Sequence, residues 1–136
     1  MKTPAQPILL LEDDHVDVLT TRRALKEIHV DNPLVVCENG EQGLAWLRDA
    51  ADPPCLVLLD LNMPVMNGIE FLEQVKRDEQ LRRIPMVVLT TSEEMEDKVR
   101  SFDLGIAGYM AKSLDYRRFV EAMRSIDAYW TTSEQP

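Results

Sequence analysis

The chain has 136 residues, 45% of them hydrophobic, which suits one domain built around one continuous core. Its 15 Lys and Arg residues face 24 Asp and Glu residues, and the formal net charge of -9 disfavours binding to nucleic-acid phosphates. No apolar run approaches the roughly 20 residues that span a bilayer, and the N-terminus lacks the pattern of a signal peptide. We therefore expect one cytoplasmic domain over residues 1–136, with a polar tail at 131–136.

Short apolar runs without polar alternation recur along the chain. Such runs are typical of strands that are covered on both faces of a parallel sheet. They predict five strands, at residues 7–11, 34–37, 55–59, 86–89 and 108–111.

A helical pattern of apolar residues follows each run. Asp14 or Asp17 is predicted to cap the first helix, and Asn39-Gly40 is predicted to form a turn before the second. The third helix follows a loop from Asp60 to Gly68. The fourth carries Met95, Val99, Phe102 and Leu104 and ends at Gly105, and the fifth runs from Tyr116 to Tyr129.

Five strand-helix pairs predict an α/β fold, a doubly wound five-stranded parallel sheet with strand order 2-1-3-4-5. In such sheets ligands bind beyond the carboxyl ends of the strands, where the strand order reverses. Polar residues gather at these ends: Glu12-Asp13, Asp60, Thr90 and Lys112. The first and third strands are neighbours in this order, so we expect Glu12, Asp13 and Asp60 to converge.

Three neighbouring carboxylates repel one another and require a cation. An all-oxygen site with few protein ligands suits Mg²⁺, with Mn²⁺ as the alternative. Lys112 and the Thr90 hydroxyl are placed to meet phosphoryl oxygens. Asp60 is therefore the best candidate for a nucleophile that forms an aspartyl phosphate.

Four motifs carry a resemblance to a known family: Leu9 to Asp14 (LLLEDD), Leu59 to Gly68 (LDLNMPVMNG), Val88-Leu89-Thr90 and Tyr109 to Lys112 (YMAK). Together they resemble the receiver domain of two-component response regulators, over nearly the whole chain. The resemblance implies the flavodoxin-like receiver fold. It also implies a signalling protein that catalyses only its own phosphorylation and dephosphorylation, and is not otherwise an enzyme.

Residue roles follow from the same resemblance. It implies that Asp60 is the phosphoacceptor, and that Glu12, Asp13, Asp60 and the backbone carbonyl of Asn62 hold the metal. Lys112 and Thr90 would contact the phosphoryl group. Thr90 and Tyr109 would form a switch pair that changes the surface of the fourth helix, fifth strand and fifth helix.

Two positions depart from the family pattern. Ser113 follows Lys112 where the family usually has proline, and Thr91 is larger than the residue usual there.

Smaller features resemble single-domain regulators that serve bacterial and cyanobacterial phytochrome kinases; they are LKE at 25–27, NPL at 32–34, NGE at 39–41 and IDAYW at 126–130. This implies a phytochrome-type sensor histidine kinase as partner. No output domain is expected after Trp130, so the protein is expected to act alone on an unknown downstream protein. Tyr129 and Trp130 favour a homodimer through the last helix.

Three other functions compete with that of a receiver. An aspartyl phosphatase needs a second acid two residues after its nucleophile, where this chain has Asn62. A flavodoxin-like electron carrier would need a phosphate loop after the first strand, where Glu12 and Asp13 would repel phosphate. A pseudo-receiver that is never phosphorylated and acts as an interaction or dimerisation module stays open until phosphorylation is tested.

Overall fold

The computed structural model describes residues 6–61, 66–90, 93–100, 103–112 and 115–130, with the backbone alone at 93–95 and 129–130. Strands and helices alternate through the described residues. They are β1 (Ile8–Leu11), α1 (His15–Glu27), β2 (Leu34–Cys37), α2 (Gly40–Asp49), β3 (Leu56–Asp60), α3 (Gly68–Arg77), a 3₁₀ turn (Leu81–Arg83), β4 (Met86–Thr90), α4 (Glu93–Arg100), β5 (Gly108–Ala111) and α5 (Tyr116–Trp130).

The five strands form one parallel sheet in the order β2-β1-β3-β4-β5. The predicted fold class and strand order are therefore confirmed. Alternate residues of each strand point to opposite faces, so the sheet has a core on each side. Leu9 and Leu59 pack towards α2 and α3, whereas Leu10 and Leu58 pack towards α1 and α5. No helix in these described ranges is both long and apolar enough to cross a membrane.

Side-chain caps determine where α1 and α2 begin. The Asp14 carboxylate accepts hydrogen bonds from the backbone N–H groups of Val16, at 2.8 Å, and Asp17, at 3.3 Å. Of the two predicted caps, Asp14 is therefore the one that begins α1, and Asp17 lies inside the helix. Asn39 caps α2 in the same way and Gly40 is its first residue, so the predicted turn at Asn39-Gly40 was wrong.

Two other boundaries differ from the prediction. Asp60 is the last residue of β3 and not the first residue of a loop. The described part of α4 extends to Arg100, and Leu104 and Gly105 are not helical but lie in the connection to β5. Asp103 has a left-handed backbone with φ of 48°, and its N–H donates to the carbonyl of Arg100, so the helix is over before Leu104. Phe102 lies outside the described residues.

Candidate functional site

Parallel pairing brings the predicted polar residues to one edge of the sheet. Glu12 follows β1 directly, Asp60 and Thr90 end β3 and β4, and Lys112 follows β5. The pairing of Leu11 with Leu59 and of Thr90 with Ala111 aligns these strand ends. The sheet thus positions side chains that are far apart in the sequence.

The acidic cluster consists of Glu12, Asp13 and Asp60. One carboxylate oxygen from each lies within 4.8 Å of the other two. Glu12 and Asp60 are only 1% and 5% exposed, and Asp13 is exposed and gives the cluster an open side. Hard oxygen donors that converge in this way fit Mg²⁺ or Mn²⁺. Asn62, the predicted source of a carbonyl ligand, lies outside the described residues.

Burial controls the acidity of Glu12. Removal from water raises its pKa from the ordinary 4.5 to about 7, and the neighbouring Asp60 adds to the increase, while Lys112 opposes it. Without a cation, the cluster therefore favours a proton on Glu12 near neutral pH. A divalent ion would replace that proton, because it stabilises the ionised carboxylate.

The Lys112 ammonium contacts two residues of the acidic cluster and one residue of α1. Its Nζ lies 2.7 Å from Glu12 Oε1, 2.9 Å from Asp17 Oδ2 and 3.2 Å from Asp60 Oδ2. Burial opposes the charged ammonium, but hydrogen bonds to Asp17 and Glu12 and the charge of Asp60 outweigh it and raise its pKa. Lys112 therefore remains a cation. Its backbone N–H donates to the Thr90 carbonyl at 2.7 Å, which fixes the start of its side chain.

Thr90 and Tyr109 lie on the neighbouring strands β4 and β5. Tyr109 pairs with Val88, which is two residues before Thr90, so Thr90 and Tyr109 share a face of the sheet. Thr90 is 3% exposed, whereas the Tyr109 ring is half-buried against the core. The Arg100 guanidinium lies 4.0 Å from the centre of that ring. Burial raises the pKa of the Tyr109 hydroxyl. Thr91 and Ser113 lie outside the described residues.

One residue of this site had no predicted role there. Asp17 was considered only as a helix cap, yet its carboxylate contacts Lys112. The sequence did contain a signal for this role. Asp17 lies in the first turn of the helix that follows the first acidic motif, and that turn borders the carboxyl edge of the sheet.

Gly68 belonged to a predicted motif, and the structure explains why the residue is glycine. A Cβ there would lie 2.7 Å from the Leu61 Cα and 2.9 Å from the Asp60 carbonyl oxygen. The N–H of Gly68 also donates to the Leu61 carbonyl at 3.0 Å. Glycine thus lets α3 begin directly against the backbone that carries Asp60.

Comparisons with known proteins agree with this geometry. The sequence model of the family described as the response regulator receiver domain matches residues 8–124 of this chain. Response regulator Rcp1 from Synechocystis sp. is 33% identical over 132 residues, which cover 93% of this chain and 90% of Rcp1. The crystal structure of the Mn²⁺-bound form of Rcp1 has a TM-score of 0.82 and covers 96% of this chain and 99% of that one. Together with the acidic cluster, it confirms the prediction of a divalent-cation site.

Two further solved structures are similar over almost their full length. The phosphorylated cyanobacterial phytochrome response regulator RcpA has a TM-score of 0.84 at 33% identity, covering 96% of this chain and 97% of that chain. The bacteriophytochrome response regulator AtBRR has a TM-score of 0.82 at 34% identity, with coverage of 98% and 100%. The chain belongs to the response regulator receiver domain family.

Proposed function

We propose that this chain receives a phosphoryl group on Asp60 from a sensor histidine kinase and thereby transmits a signal. The observation that carries the proposal is the position of the Asp60 carboxylate. It is nearly buried at the end of β3, within 4.8 Å of the carboxylates of Glu12 and Asp13 and 3.2 Å from the Lys112 ammonium. A nucleophile between a cation site and a lysine is suited to phosphoryl transfer.

The transfer forms a bond between an Asp60 oxygen and phosphorus and breaks the bond between phosphorus and the imidazole nitrogen of the donor histidine. The products are an acyl phosphate and a free imidazole. Glu12, Asp13 and Asp60, with the Asn62 carbonyl, would hold Mg²⁺, which supplies positive charge to the phosphoryl oxygens. Lys112 contributes a second cation, and Thr90 a hydroxyl donor.

Phosphorylation would act on the Thr90 and Tyr109 pair. The Thr90 hydroxyl moves to the phosphoryl oxygen, and the half-buried Tyr109 ring then turns inward into the space that becomes available. Arg100 on α4 stacks on that ring, so a change in the ring alters the surface formed by α4, β5 and α5. A downstream protein would recognise this surface. The protein would have no enzymatic activity beyond its own phosphoryl transfer and hydrolysis.

Exposed apolar side chains on α1 support a protein as the donor of the phosphoryl group. Val16 and Leu19 are the large apolar side chains exposed in the described part of the chain, at 67% and 51%, and both lie on α1 beside the acidic cluster. The similarity to RcpA and AtBRR supports a phytochrome-type light sensor as the kinase and therefore a cytoplasmic location.

The proposal also includes a homodimer through α5. The side chains of Tyr129 and Trp130, which favour it in the sequence, lie outside the described residues. Sedimentation velocity measures whether the chain is a dimer.

Intact-mass spectrometry after incubation with acetyl phosphate and Mg²⁺ tests the chemistry. We expect wild type to gain one phosphoryl group, and Asp60→Asn and a metal-free sample to gain none. Asp31→Asn, a matched change at an exposed acid on the opposite edge of the sheet, should behave as wild type. No gain under any condition would contradict the proposal and favour a pseudo-receiver that acts as an interaction or dimerisation module.

The choice of kinase needs its own experiment. The phosphorylated form of a bacteriophytochrome kinase and that of an unrelated histidine kinase are each mixed with the chain, and the transfer rates are compared. Faster transfer from the phytochrome kinase is expected. Equal rates, or faster transfer from the unrelated kinase, would contradict the light-sensing pathway but leave phosphorylation of Asp60 standing.

A further inference from the structure

Asp17 places a third carboxylate on Lys112, and the proposed phosphoryl transfer does not use it. Its Oδ2 is 2.9 Å from Nζ, which is shorter than the 3.2 Å between Nζ and Asp60. The contact joins residues 95 positions apart, at the first turn of α1 and the end of β5. It therefore restrains the lysine from the α1 side.

Helix capping does not account for this carboxylate. Asp17 is the third residue of α1, where an acid often accepts a hydrogen bond from the N–H of the cap residue. Glu70 does this in α3, where it accepts from Asn67 N at 3.2 Å. In α1, however, the N–H of Asp14 donates to Glu12 Oε2 at 3.4 Å. The Asp17 carboxylate is thus directed to Lys112 and not to its own helix.

An ammonium group has three N–H donors, and Lys112 has three carboxylates around it. A phosphoryl group on Asp60 carries up to two negative charges, in place of the single charge of the carboxylate, and three acceptor oxygens. Lys112 can donate hydrogen bonds to these oxygens only if it releases at least one of its three carboxylate partners. Water cannot reach Glu12, which is 1% exposed, to replace its contact with Lys112, whereas the Asp17 side chain is 40% exposed and can be solvated. The Asp17 contact is therefore the one to be released.

We propose that Asp17 is a positioning residue that holds Lys112 towards α1 in the unphosphorylated protein and competes with the phosphoryl group for it. The inference rests on the proposed function, since it assigns Lys112 to the phosphoryl group. Because a half-exposed ion pair contributes little, loss of the competitor should strengthen binding of a phosphoryl group or its mimic by about two- to fivefold.

Beryllofluoride, a phosphoryl mimic that binds a carboxylate oxygen, provides the measurement. Its affinity in the presence of Mg²⁺ is determined by calorimetry for wild type and three variants. Asp17→Asn should bind about two- to fivefold more tightly. Asp17→Glu keeps the charge and should remain close to wild type. Asp14→Asn removes a charge nearby but preserves the cap, so it should also match wild type.

The same titration in a Lys112→Ala background separates positioning from a general charge effect. In that background Asp17→Asn should leave the affinity for beryllofluoride unchanged. The fluorine NMR signals of the bound mimic should likewise shift with Asp17→Asn only when Lys112 is present. An equal gain in Asp14→Asn, no gain in Asp17→Asn, or a gain that persists without Lys112 would overturn the inference. If wild type fails to bind beryllofluoride while Asp60 is intact, the proposed function fails, and this inference with it.

Discussion

The interior of β3 and its last residue are both buried, but burial has opposite effects on their free energies. Leu56 to Leu59 are at most 1% exposed, and each buried leucine stabilises the fold by about 1.5–3 kcal/mol. Asp60 is 5% exposed, and burial of a charge costs free energy unless a partner such as the Lys112 ammonium, 3.2 Å away, offsets it. One strand thus supplies stability over four residues and reactivity at the fifth.

The largest expected effect belongs to the strand interior. Leu58→Ala should lower the free energy of unfolding by about 2–5 kcal/mol, because it leaves a cavity between α1, α5 and the sheet. Urea denaturation measures the loss. Leu19→Ala, at a 51% exposed position, should change stability by no more than about 0.5 kcal/mol. Similar losses for the two variants would show that the interior of the sheet is not the main source of stability.

The strand-end cluster should produce a pH dependence that the interior cannot produce. The pKa of Glu12 is raised from 4.5 to about 7, so between these values the folded chain holds a proton that the unfolded chain has released. The metal-free protein should therefore lose stability as pH rises through this window, by up to about 3 kcal/mol, and level off above it.

Two comparisons test the origin of that loss. Glu12→Gln should flatten the profile between pH 4.5 and 7, and saturating Mg²⁺ should remove much of the loss in wild type, since the ion binds the ionised carboxylate. Glu41→Gln, an exposed acid in the first turn of α2, is the control and should keep the wild-type profile. A falling profile that persists in Glu12→Gln would assign the effect to another group.

Gly68→Ala should affect both the stability of the fold and the reactivity at Asp60, because its Cβ would press on the backbone of Leu61 and Asp60. We expect a loss of about 1–3 kcal/mol and slower phosphorylation by acetyl phosphate. Gly43→Ala is the matched change, since its Cβ would meet only side-chain atoms of Leu11, with Cδ2 at 2.8 Å and Cγ at 3.1 Å, and no backbone. For Gly43→Ala we expect a smaller loss of stability in thermal unfolding and a phosphorylation rate near that of wild type. Equal behaviour of the two variants would contradict the steric explanation.

The smallest effect is a gain far from the site. His29 has a left-handed backbone with φ of 64°, where the N–H of Val30 closes the end of α1 on the Leu25 carbonyl. Glycine adopts this conformation without strain, so His29→Gly should stabilise the fold by about 1 kcal/mol and leave the phosphorylation rate unchanged. His15→Gly, at the first residue of the same helix, should lower stability, because glycine is a poorer helix former. A changed phosphorylation rate in His29→Gly would mean that the end of α1 is coupled to the site.

Much of the fold could be predicted because the strands consist almost entirely of apolar residues. The bounds of β2 and β5 and the start of α5 agree with the prediction, and the strand order is confirmed. Helix boundaries were less predictable, since single side-chain caps such as Asp14 and Asn39 determine them. The chain is no longer helical at Asp103, a left-handed residue that carries no glycine signal. The extent of the domain over residues 1–136 remains a prediction.

The candidate site could be predicted as a set of residues but not as a set of contacts. By itself the sequence determined that Glu12, Asp13, Asp60, Thr90 and Lys112 lie at the ends of strands, since each follows or ends an apolar run. Only the tertiary structure decided that Asp17 shares Lys112 with Glu12 and Asp60. The physical reason is that strand composition is local, whereas the choice of ion-pair partner depends on how a helix packs over the sheet edge.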